Sequence, residues 1–238
     1  MYKQNPTTTP DWLYRPAAIS EDNMLIFSRE LHTLHTITQQ KTPSIPQDTT
    51  CFMMVFDLDK FDQLCPELNY FLSQEWGIRK HLSHLAFICL SSDLPMQVHV
   101  DGIDVDIALN MPVLNCQDSF TVWHNTVPAK QQMLSGYHNY NSPDRDSGYY
   151  NYNGWGRDKG YIKYNPSDKR IESLAIACDG PGESTEIARC SVNKPHWVNI
   201  SVPHHAQSDH NQFRINASFR FDHKHVDPNN LPHSFYVA

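Results

Sequence analysis

The chain has 238 residues, with 19 Lys and Arg against 26 Asp and Glu, a formal net charge of -7 and 14 His. That balance, with no block of Lys or Arg, leaves no electrostatic footprint for gripping a phosphate backbone, so nucleic acid is not expected as a partner. Cys51, Cys65, Cys89, Cys116, Cys178 and Cys190 show no C-x-x-C and no short paired spacing, which fits free thiols in a reducing cell rather than a disulfide scaffold.

Residues 1–18 read as an irregular arm in which Trp12, Leu13 and Tyr14 can anchor the chain to its domain. The stretch Met1 to Pro10 lacks the apolar centre of a signal peptide, and no window approaches a membrane span in length, so a soluble cytoplasmic protein is expected. Ser20 is placed as an N-cap, and Met24, Phe27, Leu31 and Leu34 recur at three- and four-residue spacing, which predicts a helix with one apolar stripe covering a sheet. Thr42 to Thr50, with its two prolines, ends it. Cys51 to Phe56 predicts a strand, and Pro66 suits the first position of a second helix running through Leu68, Phe71 and Leu72.

From Leu85 onward strands dominate, predicted at 85–91, 96–100, 105–114, 119–124, 161–164, 171–177, 186–191, 197–202 and 213–221. Cys89 and Cys116 lie in apolar runs and are expected in the core. Two covering helices before a run of strands predict a β-sandwich or barrel with helices on one outer face, and a chain of this length suits a single domain. Its expected parts are the arm, a helical and β support region over 19–84, a β core over 85–221 and a tail over 222–238. Residues 130–160 form an insertion rich in Tyr, Asn, Gly and Ser without a sustained helical or strand period. Long loops of this kind are usually functional, and the 136–156 segment is read as a lid over a small-molecule or peptide substrate; the alternative is a packed surface loop.

The chemistry concentrates in three places. His99-Val100-Asp101 has the H-x-D spacing of an extended segment, in which side chains at i and i+2 point the same way and can grip one ion. Far downstream come Val202-Pro203-His204 and then Arg214-Ile215-Asn216-Ala217-Ser218-Phe219-Arg220-Phe221, an alternating strand with one apolar and one polar face. Two imidazoles and one carboxylate on one side of a metal leave the opposite positions open, so a single non-heme Fe(II) can bind a chelating acid and dioxygen together. A guanidinium on the polar strand face can hold a carboxylate bidentately.

In motif and order these segments resemble the Fe(II)- and 2-oxoglutarate-dependent oxygenases, from about residue 85 to residue 221, including Ala108-Leu109-Asn110-Met111-Pro112-Val113 and Phe120-Thr121-Val122-Trp123. The resemblance implies a mainly β, α+β fold: a double-stranded β-helix (jelly-roll, cupin-like) with N-terminal helices packed on one face. It implies His99, Asp101 and His204 as iron ligands and Arg214 as the partner of the distal carboxylate of 2-oxoglutarate. Asn216 takes the position two residues after the arginine, where the family often carries serine, and can still donate a hydrogen bond. Asn110 is a candidate for the other end of 2-oxoglutarate. The implied reaction consumes O2 and 2-oxoglutarate, releases succinate and CO2 and, by default, hydroxylates a peptide, protein side chain or small molecule. Halogenation is disfavoured because Asp101 keeps the carboxylate position.

Two other readings are compatible with the same residues: a cupin-like metal-binding protein that does not use 2-oxoglutarate, and a non-catalytic β-sandwich module that binds a partner through its Tyr-rich loop. His32-x-x-His35 and His81-x-x-His84 could each present two imidazoles on a helical face, but neither has further ligands at zinc-like spacing, so they are read as solvated or core histidines. His205 would point to the face opposite His204, and His223-x-His225 reads as a surface pair. Asp57, Asp59 and Asp62 lack the glycine and terminal glutamate of a calcium loop and are read as turn and helix-start residues.

Overall fold

A computed structural model describes residues 13–39, 51–56, 58–90, 98–100, 107–125, 148–151, 162–164, 171–173, 176–177, 185–209, 213–221, 226 and 231–236. The segment predicted as an irregular arm instead contributes strand β1 (Tyr14–Pro16), with Leu13 buried beside it. Helix α1 (Glu21–Gln39) starts where expected, the Asn23 N–H donating to Ser20 Oγ at 3.2 Å. Its stripe is buried at Phe27, Leu31 and Leu34, with Met24 packed at the margin.

Strand β2 (Cys51–Phe56) is followed by a short helix, α2 (Leu58–Leu64), which the sequence reading did not separate from a turn. Seven residues with one fully buried apolar side chain, Phe61, give too little periodicity to read, and Asp62 belongs to its body, where it forms a bidentate pair with Arg79. Helix α3 (Pro66–Tyr70) begins at Pro66 as predicted and continues through a wider turn over Phe71–Glu75. No side chain of its own caps it. The Glu30 carboxylate reaches across from α1 to accept the Glu67 and Leu68 N–H groups at 2.9 and 3.0 Å, which ties the two helices together.

The remaining strands are β3 (Leu82–Leu90), β4 (His99–Val100), β5 (Ile107–Leu114), β6 (Ser119–Asn125), β7 (Gly148–Asn151), β8 (Ile162–Tyr164), β9 (Ile171–Ser173), β10 (Ile176–Ala177), β11 (Thr185–Ser191), β12 (His196–Asn199), β13 (His204–Ser208) and β14 (Arg214–Phe221). The predicted strand over 171–177 is two strands, and the one predicted from 197 begins at His196. Part of the predicted lid is sheet: β7 pairs antiparallel with β2, from Phe52↔Asn151 to Val55↔Gly148. The rest of that segment lies outside the described residues.

Two antiparallel sheets carry the architecture, one ordered β1-β12-β5-β14-β3-β2-β7 and the other β10-β4-β13-β6-β11. Along the chain β3, β5, β12 and β14 fall in the first sheet while β4, β6, β11 and β13 fall in the second, so the chain winds between two facing layers. That winding is a double-stranded β-helix, a jelly roll. Its interior joins Ala108 and Val198 of one sheet to Trp123, Ala188 and Cys190 of the other. The opposite face of the first sheet, through Leu109, Met111, Ile215, Ala217 and Phe219, packs against α1, α2 and α3. The helices therefore cover one outer face, as expected.

Within the segment expected as a C-terminal tail, Val226, Leu231 and Phe235 join the core. Phe235, in a tight turn over His233–Phe235, is buried, stacks on Trp76 at 4.9 Å between ring centres, and its carbonyl accepts the Trp197 indole N–H at 2.8 Å. Cys65, Cys89, Cys116 and Cys190 are buried free thiols.

Candidate metal centre and anion pocket

Antiparallel pairing of β4 with β13 sets His204 directly opposite His99. Directly paired residues project to the same side of a sheet. The two rings lie 4.6 Å apart between centres at 44°, and both are buried. His204 Nδ1 lies 2.8 Å from the Val202 carbonyl oxygen. A carbonyl can only accept, so Nδ1 carries the proton and Nε2 keeps its lone pair, the state a metal-binding imidazole needs. Trp123, paired with His204 on β6, supplies an apolar wall whose indole N–H is satisfied by the Asn199 carbonyl at 2.9 Å. Asp101, the third predicted ligand, lies outside the described residues, and no cluster of three metal-binding side chains occurs among the described ones.

His205 takes the other face, as the alternation required. Its Nδ1 meets His124 Nε2 at 2.8 Å, next to the Glu186–Arg189 pair, in which both guanidinium contacts measure 2.6 Å. Burial pushes His205 down to about 4, helped by His124, and lowers His124 as well. The hydrogen bond from Arg189 holds Glu186 below the usual carboxylate range. His32 is exposed and His35 is buried, while His81 and His84 fall in a tight turn and in β3 rather than on one helix. The pair 223 and 225 lies outside the described residues.

β14 departs from the sequence reading in one respect: its polar face is as dry as its apolar one. Arg214, Asn216, Ser218 and Arg220 are all buried, because β14 is an inner strand between β3 and β5 and its second face lines the β-helix interior. Arg214 is 1% exposed, and neither its Nε nor its Nη1 has a hydrogen-bond partner. Among the described residues no carboxylate pairs with it. Asn216 is fully buried with both amide atoms unsatisfied, and Asn110 Oδ1 is unsatisfied too.

His196 was not among the predicted site residues. It pairs with Asn110, which pairs with Ser218, so a polar row crosses three neighbouring strands of the interior. It is fully buried, its Nδ1 is 2.6 Å from the Lys194 carbonyl, and its Nε2 has no partner. Burial pushes it down to about 4, against the Lys194 hydrogen bond and with the charge of Arg214. Its segment, Pro195-His196 before an alternating Trp197-Val198-Asn199, repeats the Pro-His pattern of Pro203-His204, a signal the motif reading passed over.

Arg214 opens β14 at one end of the β-helix, and His196 lies on the same interior, level with Ser218 four residues further along β14, where the charge of Arg214 still reaches its ring. Val192 N–H donates to the Ser119 carbonyl just before β12, and Asn115 Nδ2 donates to the Phe213 carbonyl just before β14. The His99–His204 pair lies toward the other end, where His124 N–H donates to Pro203. From His204 to the end of β13 at Ser208 is four residue steps, roughly 13 Å of extended chain.

No family model matches the chain, and no curated protein matches it in sequence. By fold it is similar to the non-heme alpha ketoglutarate dependent carbocyclase SnoK from nogalamycin biosynthesis, with a TM-score of 0.44 and 10% identity over 88% of this chain and 78% of that one. It is similar to HygX from Streptomyces hygroscopicus with nickel and 2-oxoglutarate bound, at 0.40 and 10% over 88% and 81%. It is also similar to the epimerase SnoN in complex with Fe3+, alpha ketoglutarate and nogalamycin RO, at 0.43 and 8% over 88% and 78%.

Proposed function

We propose that this protein is a non-heme Fe(II)- and 2-oxoglutarate-dependent oxygenase that oxidises, by default hydroxylates, a small molecule or a peptide or protein side chain. The observation that carries the reading is Arg214, a buried guanidinium with unpartnered donors in the same interior as a facing pair of buried histidines. A buried charge deprived of its partner typically costs about 3–5 kcal/mol, so a fold that keeps one is suited to a ligand that completes it. A dicarboxylic keto acid meets both ends of the site: a chelating head for a metal and a distal carboxylate for the guanidinium fork.

In this reading His99 and His204, with Asp101, hold the metal, and the hydrogen bond from His204 to the Val202 carbonyl fixes the ring for coordination. Arg214 anchors the distal carboxylate, and the Asn216 and Asn110 amides line the passage between. Iron bound there would supply the oxidative decarboxylation of 2-oxoglutarate with O2 to succinate and CO2, coupled to oxidation of the substrate. The protein's own part is to orient the keto acid, keep one metal face open and exclude water, which the buried walls around Trp123 and Val198 favour.

The test is anaerobic reconstitution of the full chain with Fe(II) and 2-oxoglutarate, watching the visible metal-to-ligand charge-transfer band. The expected result is a band that is lost in His99→Ala and weakened in Arg214→Ala. Iron bound without a band would replace this reading with a cupin-like protein that does not use 2-oxoglutarate. No stoichiometric iron would replace it with a binding module.

A further inference from the structure

The anion pocket contains one group that a simple arginine clamp does not explain. The Lys194 carbonyl obliges His196 Nδ1 to carry the ring proton, so the neutral ring presents Nε2 as a lone pair, buried and without a partner. A carboxylate also presents only lone pairs. Two acceptors brought together in a dry pocket repel each other unless a proton is placed between them.

The surroundings of His196 decide when that proton arrives. From β1, Tyr14 packs against the ring at 5.3 Å between centres; from β5, Asn110 is its register partner; the charges of the interior come from β14 through Arg214, whose charge reaches the ring, and the buried Arg220; and the Cys190 thiol of β11 lies on the same interior. Lys194 meets the ring through its backbone carbonyl. Burial pushes the Tyr14 hydroxyl up to about 12 and pushes the Cys190 thiol up, so both stay neutral at physiological pH. The charges facing this interior are therefore positive, and without an anion only the Lys194 hydrogen bond favours an imidazolium, against burial and Arg214.

We infer that His196 is a second anchor for the distal carboxylate, and that the pocket takes up one proton from solvent as the acid binds, held between His196 Nε2 and a carboxylate oxygen. The carboxylate then lies between the Arg214 fork and a charge-assisted hydrogen bond, and the locked Nδ1 makes Nε2 the one position where the proton can sit on the ring. This inference rests on the 2-oxoglutarate reading of the site and extends it: the pocket selects an acid with a distal carboxylate, and its affinity falls as pH rises. His196 is a binding residue here and takes no part in the chemistry at the metal.

The experiment is anaerobic calorimetry of the Fe(II)-loaded full chain at pH 7 in two buffers with different heats of ionisation, which counts protons taken up per ligand bound. Pyruvate, which can chelate the metal but has no distal carboxylate, separates the two ends of the site. The expected result is between half a proton and one proton taken up with 2-oxoglutarate, none with pyruvate, and none with 2-oxoglutarate in His196→Gln, whose amide supplies its own donor. In parallel, the apparent Kd of the wild-type chain for 2-oxoglutarate should weaken by up to tenfold per pH unit above neutrality and stay flat in His196→Gln. Binding of 2-oxoglutarate without proton uptake overturns the inference while leaving the oxygenase reading standing. Equal uptake with pyruvate, or uptake retained in His196→Gln, also overturns it, and the pyruvate comparison needs only the wild-type chain should the variant fold poorly. Failure of 2-oxoglutarate to bind overturns the oxygenase reading and this inference with it, whereas absent pyruvate binding agrees with a pocket that requires the distal carboxylate.

Discussion

His99 and His204 face each other across paired strands with their rings 4.6 Å apart, while His205, one residue further on, turns to the other face and meets His124 at 2.8 Å. The alternation of a strand thus turns two adjacent histidines to different faces and different partners. His99→Ala and His204→Ala should each weaken Fe(II) binding by more than about a hundredfold, beyond the roughly ten- to hundredfold that loss of an outer hydrogen-bond partner costs a metal site. His205→Ala should leave iron affinity within a few-fold of wild type. Iron retained after anaerobic dialysis against a graded chelator gives the comparison, and a His205 variant as damaged as the His204 variant would refute the assignment.

Arg214 leads to an unusual expectation, because its guanidinium is buried with Nε and Nη1 unsatisfied and no carboxylate paired with it among the described residues. In the ligand-free protein Arg214→Met removes a buried charge that no described carboxylate compensates and keeps most of the volume, so the fold should lose little stability or gain some. The same change should abolish stabilisation by 2-oxoglutarate. For wild type at a hundredfold excess over Kd, ligand binding contributes about 2.7 kcal/mol, or roughly 5–10 °C in melting temperature for a domain of this size. Thermal melts of metal-loaded protein under nitrogen, with and without 2-oxoglutarate, check both halves.

How much of this was legible in the sequence follows from where periodicity and chemistry coincide. The apolar stripe of α1, its Ser20 cap, the Pro66 start of α3 and the alternation of β14 each leave a local signature, and each is present. Arg214 and the His99–His204 pair were legible through motif and order, although only the register of β4 with β13 brings the two rings together. What escaped were elements too short to repeat and residues whose role is tertiary. β13 reads His-His-Ala-Gln-Ser, which has no apolar alternation, and β1 is fixed by its pairing with β12 rather than by its own three residues. His196 looked like one more histidine in a chain rich in them. Its burial, its locked Nδ1 and its place in one row with Asn110 and Ser218 arise only once β12, β5 and β14 lie side by side.

The C-terminal turn shows the same dependence on distant partners and is open to a stability test. Phe235 stacks on Trp76, lies 6.0 Å from the Trp197 ring, and offers its carbonyl to the Trp197 indole. Phe235→Ala should destabilise the fold by about 3–5 kcal/mol, as expected for truncating a buried aromatic. Chemical denaturation gives the number directly. A loss under about 1 kcal/mol would mean that the segment merely rests on the surface.

His35 predicts how the fold responds to acid. It is buried on α1, meets Phe87 edge-on at 5.3 Å, and its Nε2 has no hydrogen-bond partner. Burial, with a smaller push from His32, lowers it to about 4 from 6.5. Since the folded value lies below the unfolded one, the unfolded chain binds more protons between those two values. The contribution to stability is therefore fully present above about 6.5 and is lost as pH falls toward 4. Between pH 7 and pH 5 that loss amounts to about 2 kcal/mol for this one group. His196 and His205 are lowered to about 4 by burial as well, so wild type should lose stability steeply over this interval. His35→Leu keeps an apolar side chain against Phe87 and removes one of the titrating groups. Its unfolding free energy should fall by about 2 kcal/mol less than that of wild type from pH 7 to pH 5, whereas parallel pH profiles for the two proteins would place the acid sensitivity elsewhere.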